Sequence, residues 1–308
     1  MKTGRAACRR RLGVSMDTVV SLVCVDASRD VDHVIDRAFA WFSRVESVCS
    51  RFDPSSEVMR LSVTVGTRVR VSALLFEAVR FAVAVARLTD GAFDPSIGGL
   101  MQTRGFDRNY RTGLRIVSRP PESPSATYRD IEVDSADRSI TLHRPLVIDL
   151  GAVAKGLAID LAAKELAAVT NYAIDAGGDI YVSGRNTDGE PWRVAIQHPR
   201  QTGAIWCVLR LSHGAVCTSG DYARRGSRGQ HHLVDPRRGQ SPRELASTSV
   251  VAPTAMLADA LSTAAFVLGA KRGLRLLESQ GVDGITLTRN LGSAATGGFG
   301  RLVAASAA

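Results

Sequence analysis

The stretch DLGAVAKGLAID (Asp149–Asp160) joins an apolar run to a helical pattern. Gly151 permits close backbone approach. Asp149 ends an apolar strand, where an ionised side chain is costly unless it is paired or faces a cleft. Lys155 falls in the first helical turn, where the helix dipole favours anions over cations. It is misplaced for stability and makes sense beside something anionic. The stretch looks like a phosphate loop, yet it lacks the Gly-Lys-Ser/Thr ending such loops need. An ordinary strand-to-helix turn and an anion-facing loop both stay open at this point.

Outward from this junction, helices and strands mix without regular strand–helix–strand alternation. An α+β fold is therefore expected rather than a doubly wound sheet. TVVSLVCV (Thr18–Val25) reads as a buried strand. Val31, Val34, Ile35, Ala38, Phe39, Phe42 and Val45 recur at helical spacing, with Ser28 or Asp30 as cap. RFDPSSE (Arg51–Glu57) reads as loop and TRVRVSA (Thr67–Ala73) as strand, and Ser72 opens a helix ending near Asp90-Gly91. Gly98 to Ser125 reads as a long surface excursion. SITLH and LVIDL are expected as short strands, and a helix from about Ala154 to Val169. YAID, DIYVSG, WRVAIQ, VLRLS, AVCTS, HLVD and TSVV are expected as strands. Helices follow over Pro253 to Gly269 and Lys271 to Gln280, then a strand at GITLT.

The 308 residues suffice for a sizeable core. Without an evident linker, the expected organisation is a flexible 1–14 followed by one catalytic unit over 15–305. Five scattered cysteines argue against a disulfide framework and against a zinc site. A net charge of +9 suits an acidic or phosphorylated partner, or simply an arginine-rich solvated surface. No basic stripe interleaves with aromatics, so nucleic acid is not expected. No apolar run reaches the roughly 20 residues of a membrane span. The N-terminus shows no apolar signal region before Cys8, so a cytoplasmic location is expected.

Four further motifs carry chemistry. In TDGAFDPS (Thr89–Ser96), Asp94 sits between Phe93 and Pro95: a helix cap with a turn, or the wall of a ring-binding pocket. In ADALSTAAFVLG (Ala258–Gly269), Asp259 and Thr263 are four apart and share one helix face. A carboxylate and a hydroxyl suit a hard cation, with a carbonyl, water or phosphate completing the shell. The alternative is dipole compensation plus a packing threonine. His231-His232, ahead of Leu233-Val234-Asp235, offers a general base or a structural pair. DAGGDIYVSG (Asp175–Gly184) says by itself only that backbones approach closely.

Taken in order, SMDT, SRFDPSSEVMRLS, GAFDPS, DLGAVAKGLAID, DAGGDIYVSG, TSGDY, HHLVDPRRG and ADALSTA resemble the ApbE family of FAD:protein FMN transferases, from about Met16 to Val303. The resemblance implies an α+β, T-fold-like catalytic unit with FAD as substrate and Mg2+ as cofactor. It implies transfer of FMN to a threonine or serine hydroxyl of an acceptor protein, with release of AMP. By the same resemblance Asp259 and Thr263 are metal ligands and Ala152 offers its backbone carbonyl. Ser262 stands where some members carry a further acidic ligand. Met16, Phe52, Ala92, Phe93, Asp94, Asp149, Lys155 and Val234 fall on flavin-contacting positions. His232 falls on a histidine that activates the acceptor hydroxyl. One departure is Met16-Asp17-Thr18, where the family has Met-Gly-Thr. Two other functions fit the same residues: a metal-dependent FAD pyrophosphatase, and a flavin-binding protein without catalysis. The sequence names neither the acceptor nor the oligomeric state.

Overall fold

The computed structural model describes residues 8–25, 31–109, 112–116, 125–223 and 230–306. Its centre is an eight-stranded antiparallel sheet. With strands numbered along the chain, the order is β1 (Cys8–Ser15), β2 (Thr18–Val25), β6 (Asn171–Ala176), β7 (Asp179–Ser183), β10 (His213–Gly220), β11 (Leu245–Ala252), β12 (Asp283–Thr288) and β13 (Ser293–Ala295). One face carries helices α1 (Val31–Cys49), α3 (Ala73–Leu88), α5 (Ala154–Glu165) and α6 (Ala255–Leu268). The other carries a small sheet in the order β14 (Val303–Ser306), β9 (Ile205–Leu211), β8 (Trp192–Gln197). A third sheet, β3 (Val69–Arg70), β5 (Ser139–Leu142), β4 (Ile131–Asp134), completes the strands.

The period-two rule of a strand separates two cores. Ala215 and Cys217 of β10 pack under the helices, while Val216 between them packs against the small sheet. Val250 and Val251 of β11 divide in the same way. The inner core joins Leu22 and Ile174 to Phe42, Ile159 and Leu261. The outer core joins Val182 and Leu287 to Val194, Ile196 and Leu209. Central strands are thus covered on both faces, and β11 is buried almost throughout, its polar Ser247, Thr248 and Ser249 included.

The α+β expectation holds, with local differences. Cys8–Ser15 is a strand in full register with β2, so the stretch expected to be flexible over 1–14 is ordered from Cys8. The proposed caps Ser28 and Asp30 lie outside the described residues. RFDPSSE runs into α2 (Glu57–Ser62), which Ser56 caps by accepting from the Met59 amide at 3.2 Å. Six residues are too few for a helical periodicity to show. The expected strand at 67–73 shrinks to Val69–Arg70. The expected helix over 154–169 ends at Glu165.

Leu146–Leu150 is buried and extended but joins no ladder. It pairs instead with the 95–98 segment: Asp149 N donates to Pro95 O at 2.7 Å, and Gly98 N to Val147 O at 3.0 Å. HLVD is likewise a loop, closed by Asp235 N on Gln240 O at 2.8 Å. The stretch from Gly98 is not a surface excursion at its start. Helix α4 (Gly98–Thr103) buries Gly98, Gly99 and Met101. A Cβ at Gly98 would stand 2.5 Å from Val147 O, so only glycine lets this helix reach the extended segment. Residues 112–115 are exposed, and 117–124 lie outside the described residues.

Candidate active site

Helices α5 and α6 are clamped to each other, and the clamp places the chemistry. Asp160, on α5, accepts hydrogen bonds from the Ala255 and Met256 amides at 2.7 and 3.0 Å. These are orphan donors at the start of α6, and an acid belongs there. Burial pushes the Asp160 carboxyl up, and the two amides oppose that shift. Gly156, one turn earlier, lets the backbones touch: a Cβ there would stand 2.4 Å from Met256 Cα.

On this frame α6 presents Asp259 and Thr263 from one face, as the sequence predicts. Asp259 is 6% exposed. The Lys155 ammonium pairs with Asp179 and lies 3.8 Å from Asp259 Oδ2. The anionic company expected for Lys155 is therefore supplied by two of the protein's own carboxylates. Ser219, on β10, joins the hydroxyls: its Oγ lies 2.8 Å from Ser262 Oγ and 3.0 Å from Thr263 Oγ1. Ser262 Oγ also donates to Asp259 O at 2.9 Å. Cys217 lies buried below, its thiol pushed up by burial and then by the Asp259 charge. It is a poor nucleophile in that state.

One buried carboxylate with neighbouring hydroxyls is an oxygen donor set that suits Mg2+ or another hard cation. Among the described residues, no group of three His, Cys, Asp or Glu side chains gathers. A cation on Asp259 therefore completes its shell from hydroxyl, carbonyl or phosphate oxygens. The residues fit a metal of that kind. Ala152, the expected carbonyl donor, lies in the turn three residues before Lys155.

A second group forms where Leu146–Leu150 meets the GAFDPS segment. Arg51 Nε donates to Asp149 Oδ2 at 2.7 Å, and Asp149 Oδ1 accepts from the Gly151 amide at 2.8 Å. Arg51 is 5% exposed, so this is a buried ion pair and the cost foreseen for Asp149 is met by pairing. The Arg51 guanidinium stacks over Phe52 at 4.1 Å. Phe52 lines a cavity of about 260 Å³ with Glu46, Ser50 and Asn109. Glu46 also accepts from the Met16 amide at 3.1 Å, which brings Met16 to the same end of the molecule. Met16 and Asp17 form the β1–β2 turn with φ of 54° and 61°. Asp17 thus stands in the left-handed region where a glycine costs less.

Asp94 is buried between protein amides: Oδ1 accepts from Ser96 N at 2.8 Å and Oδ2 from Tyr128 N at 3.1 Å. Burial raises its carboxyl. Ala92 and Phe93 are buried beside it. In the 231–242 loop the two histidines divide. His231 is buried, lies 3.0 Å from Pro242 O and packs edge-on to Phe266, a structural arrangement. Its imidazole is shifted down, chiefly by burial. His232 is half-buried and edge-on to Phe106 at 6.5 Å, and Val234 is buried. Arg104 fastens this loop to α4 through Gly239 O at 2.9 Å and Ser241 Oγ at 2.7 Å.

Sequence reasoning missed Arg51, Asp179, Ser219 and Asp160 as functional neighbours. Each lies inside a quoted motif, but nothing local marks its partner. A larger cleft of about 850 Å³, lined by Trp206, His198 and Ile285 among others, contains none of these groups.

Helices over an antiparallel sheet, with a buried carboxylate and hydroxyls beside a lysine, define an α+β protein with a polar site on its helical face. The chain belongs to the ApbE family, whose model matches residues 16–286. The chain is 32% identical over 250 residues to the FAD:protein FMN transferase of Haemophilus influenzae, covering 76% of this chain and 72% of that one. It is 28% identical over 275 residues to that of Vibrio cholerae, covering 85% and 80%. The crystal structure of the ApbE protein of Thermotoga maritima superposes with a TM-score of 0.85 at 28% identity, over 96% of this chain and 99% of that one. The apo flavinyl transferase ApbE of Pseudomonas stutzeri superposes with a TM-score of 0.83 at 26% identity, over the whole of both chains.

Proposed function

We infer that this protein is a flavin transferase, moving FMN from FAD to an acceptor protein. The observation that carries the reading is α6 presenting Asp259 and Thr263 beside Lys155, in a chain of this family. The chain from 15 to 305 acts as one catalytic unit. Asp259, Thr263 and the Ala152 carbonyl would hold Mg2+, with Ser262 steadying Asp259 through its backbone carbonyl. When bound, the cation withdraws charge from the phosphate under attack and from the departing AMP.

The rest of the chemistry belongs to side chains. Lys155 adds positive charge near the pyrophosphate. Met16, Phe52, Ala92, Phe93 and Val234 border the flavin. Asp149 and Asp94, each braced by protein donors, fix the walls of that pocket. The acceptor is a threonine or serine hydroxyl. Its oxygen forms a bond to the FMN phosphorus, the pyrophosphate P–O bond to AMP breaks, and His232 takes the hydroxyl proton. Among the described residues no helix is long and apolar enough to cross a membrane. All five cysteines are free thiols, four of them buried.

The test uses FAD, Mg2+ and an acceptor domain on which the Vibrio cholerae transferase works. AMP release should require the acceptor and match the FMN attached to it. Asp259→Ala should lower transfer by roughly two orders of magnitude or more. AMP and FMN released equally without acceptor would identify a pyrophosphatase instead.

A further inference from the structure

Lys155 stands between two buried carboxylates that come from different elements. Its ammonium pairs with Asp179 Oδ2 and lies 3.8 Å from Asp259 Oδ2. The side chains of Asp179 and Asp259 are 5% and 9% exposed, against 23% for Lys155. Asp179 has little freedom. It is the first residue of β7, opposite Ala176, across a two-residue turn of Gly177 and Gly178 at φ of 67° and 93°. That turn is tied by Gly178 N on Asp175 Oδ1 at 2.9 Å. Lys155 has much freedom, because its ammonium sits on a flexible four-carbon stem. An ammonium and a divalent cation on the same carboxylate repel each other and compete for it.

We propose that Asp179 is a positioning residue for the transfer reaction. It holds the Lys155 ammonium beside Asp259 but off it. Asp259 is thereby left able to take a divalent cation, while the lysine charge stays within reach of substrate phosphate oxygens. The nearer partner of Lys155 is Asp179, and the rigid glycine turn fixes where that partner stands. The inference rests on the reading of Asp259 as a cation ligand. It adds a residue, and a competition, that the reading does not contain.

The experiment is Mn2+ binding to the FAD-free full chain, followed by electron paramagnetic resonance. Asp179→Asn removes the nearer counter-ion, so Lys155 turns onto Asp259 and Mn2+ binding weakens on the order of tenfold. The Lys155→Gln/Asp179→Asn double variant should bind as tightly as Lys155→Gln alone, because no ammonium is left to compete. Asp179→Glu, which keeps the charge, should stay near the wild type, and it separates loss of charge from loss of fold. Asp179→Asn binding like the wild type overturns the proposal. So does the same loss with and without Lys155, which would mean that Asp179 acts on the cation directly. Failure of the wild type to bind Mn2+ is a different result: it removes the cation-site reading itself.

Discussion

At the residue scale the molecule uses acids for different tasks. Asp160 caps a helix, Asp149 neutralises Arg51, Asp94 braces a turn, and Asp259 faces Lys155. The first three hold backbone amides or a buried arginine in place, so their roles are geometric before they are chemical. Lys155, a cation in a first helical turn, has two carboxylates beside it. The spacing of the sequence does not reveal these partners, because they stand 24 and 104 positions from the lysine. His231 gives a prediction at this scale. Burial holds its folded-state pKa below the ordinary 6.5. The unfolded chain therefore takes up the proton first, and the native state loses stability as pH falls below about 6.5. Thermal melts from pH 8 to 5.5 should show a falling midpoint, and His231→Gln should flatten that component. An unchanged slope in the variant would mean that other groups set the acid limit.

At the element scale, the α5–α6 pair is the device that converts a strand-to-helix turn into a site. Both helices were legible from periodicity, and α6 from its Asp259/Thr263 spacing. Their mutual packing was not legible, because Gly156 in a helix reads only as a mild propensity penalty. Its purpose appears when the facing backbone is known, with Met256 Cα 2.4 Å from where a Cβ would stand. Gly156→Ala should therefore push α6 away and cost about 1–3 kcal/mol, measured by urea unfolding. Transfer activity should fall with it, since Lys155 and Asp259 sit on opposite sides of that contact. A variant of normal stability and activity would show that the clamp is not required. The two apolar runs that read as strands and are not share one cause. Leu146–Leu150 and HLVD satisfy their backbones by single bridges rather than ladders, and an apolar run cannot reveal its pairing.

At the scale of the whole molecule, one sheet supports two cores, and the site lies on the helical side. The α+β class followed from irregular alternation, while the small sheet of β14, β9 and β8 was hidden: WRVAIQ and VLRLS read like any other strands, and β14 is too short to show a pattern. Leu209 is fully buried in the outer core, remote from the helices. Leu209→Ala should cost about 2–5 kcal/mol and lower a single cooperative melting transition, as expected if 15–305 is one unit. Two separate transitions would instead indicate independent layers. Attachment of FMN to a protein through Asp259 and its neighbours is read by the intact mass of an acceptor domain co-expressed with the chain, mapped by fragmentation. Covalent FMN should appear on a threonine or serine with the wild type and be absent with Asp259→Ala. An unmodified acceptor with the wild type, or equal modification with the variant, would contradict it.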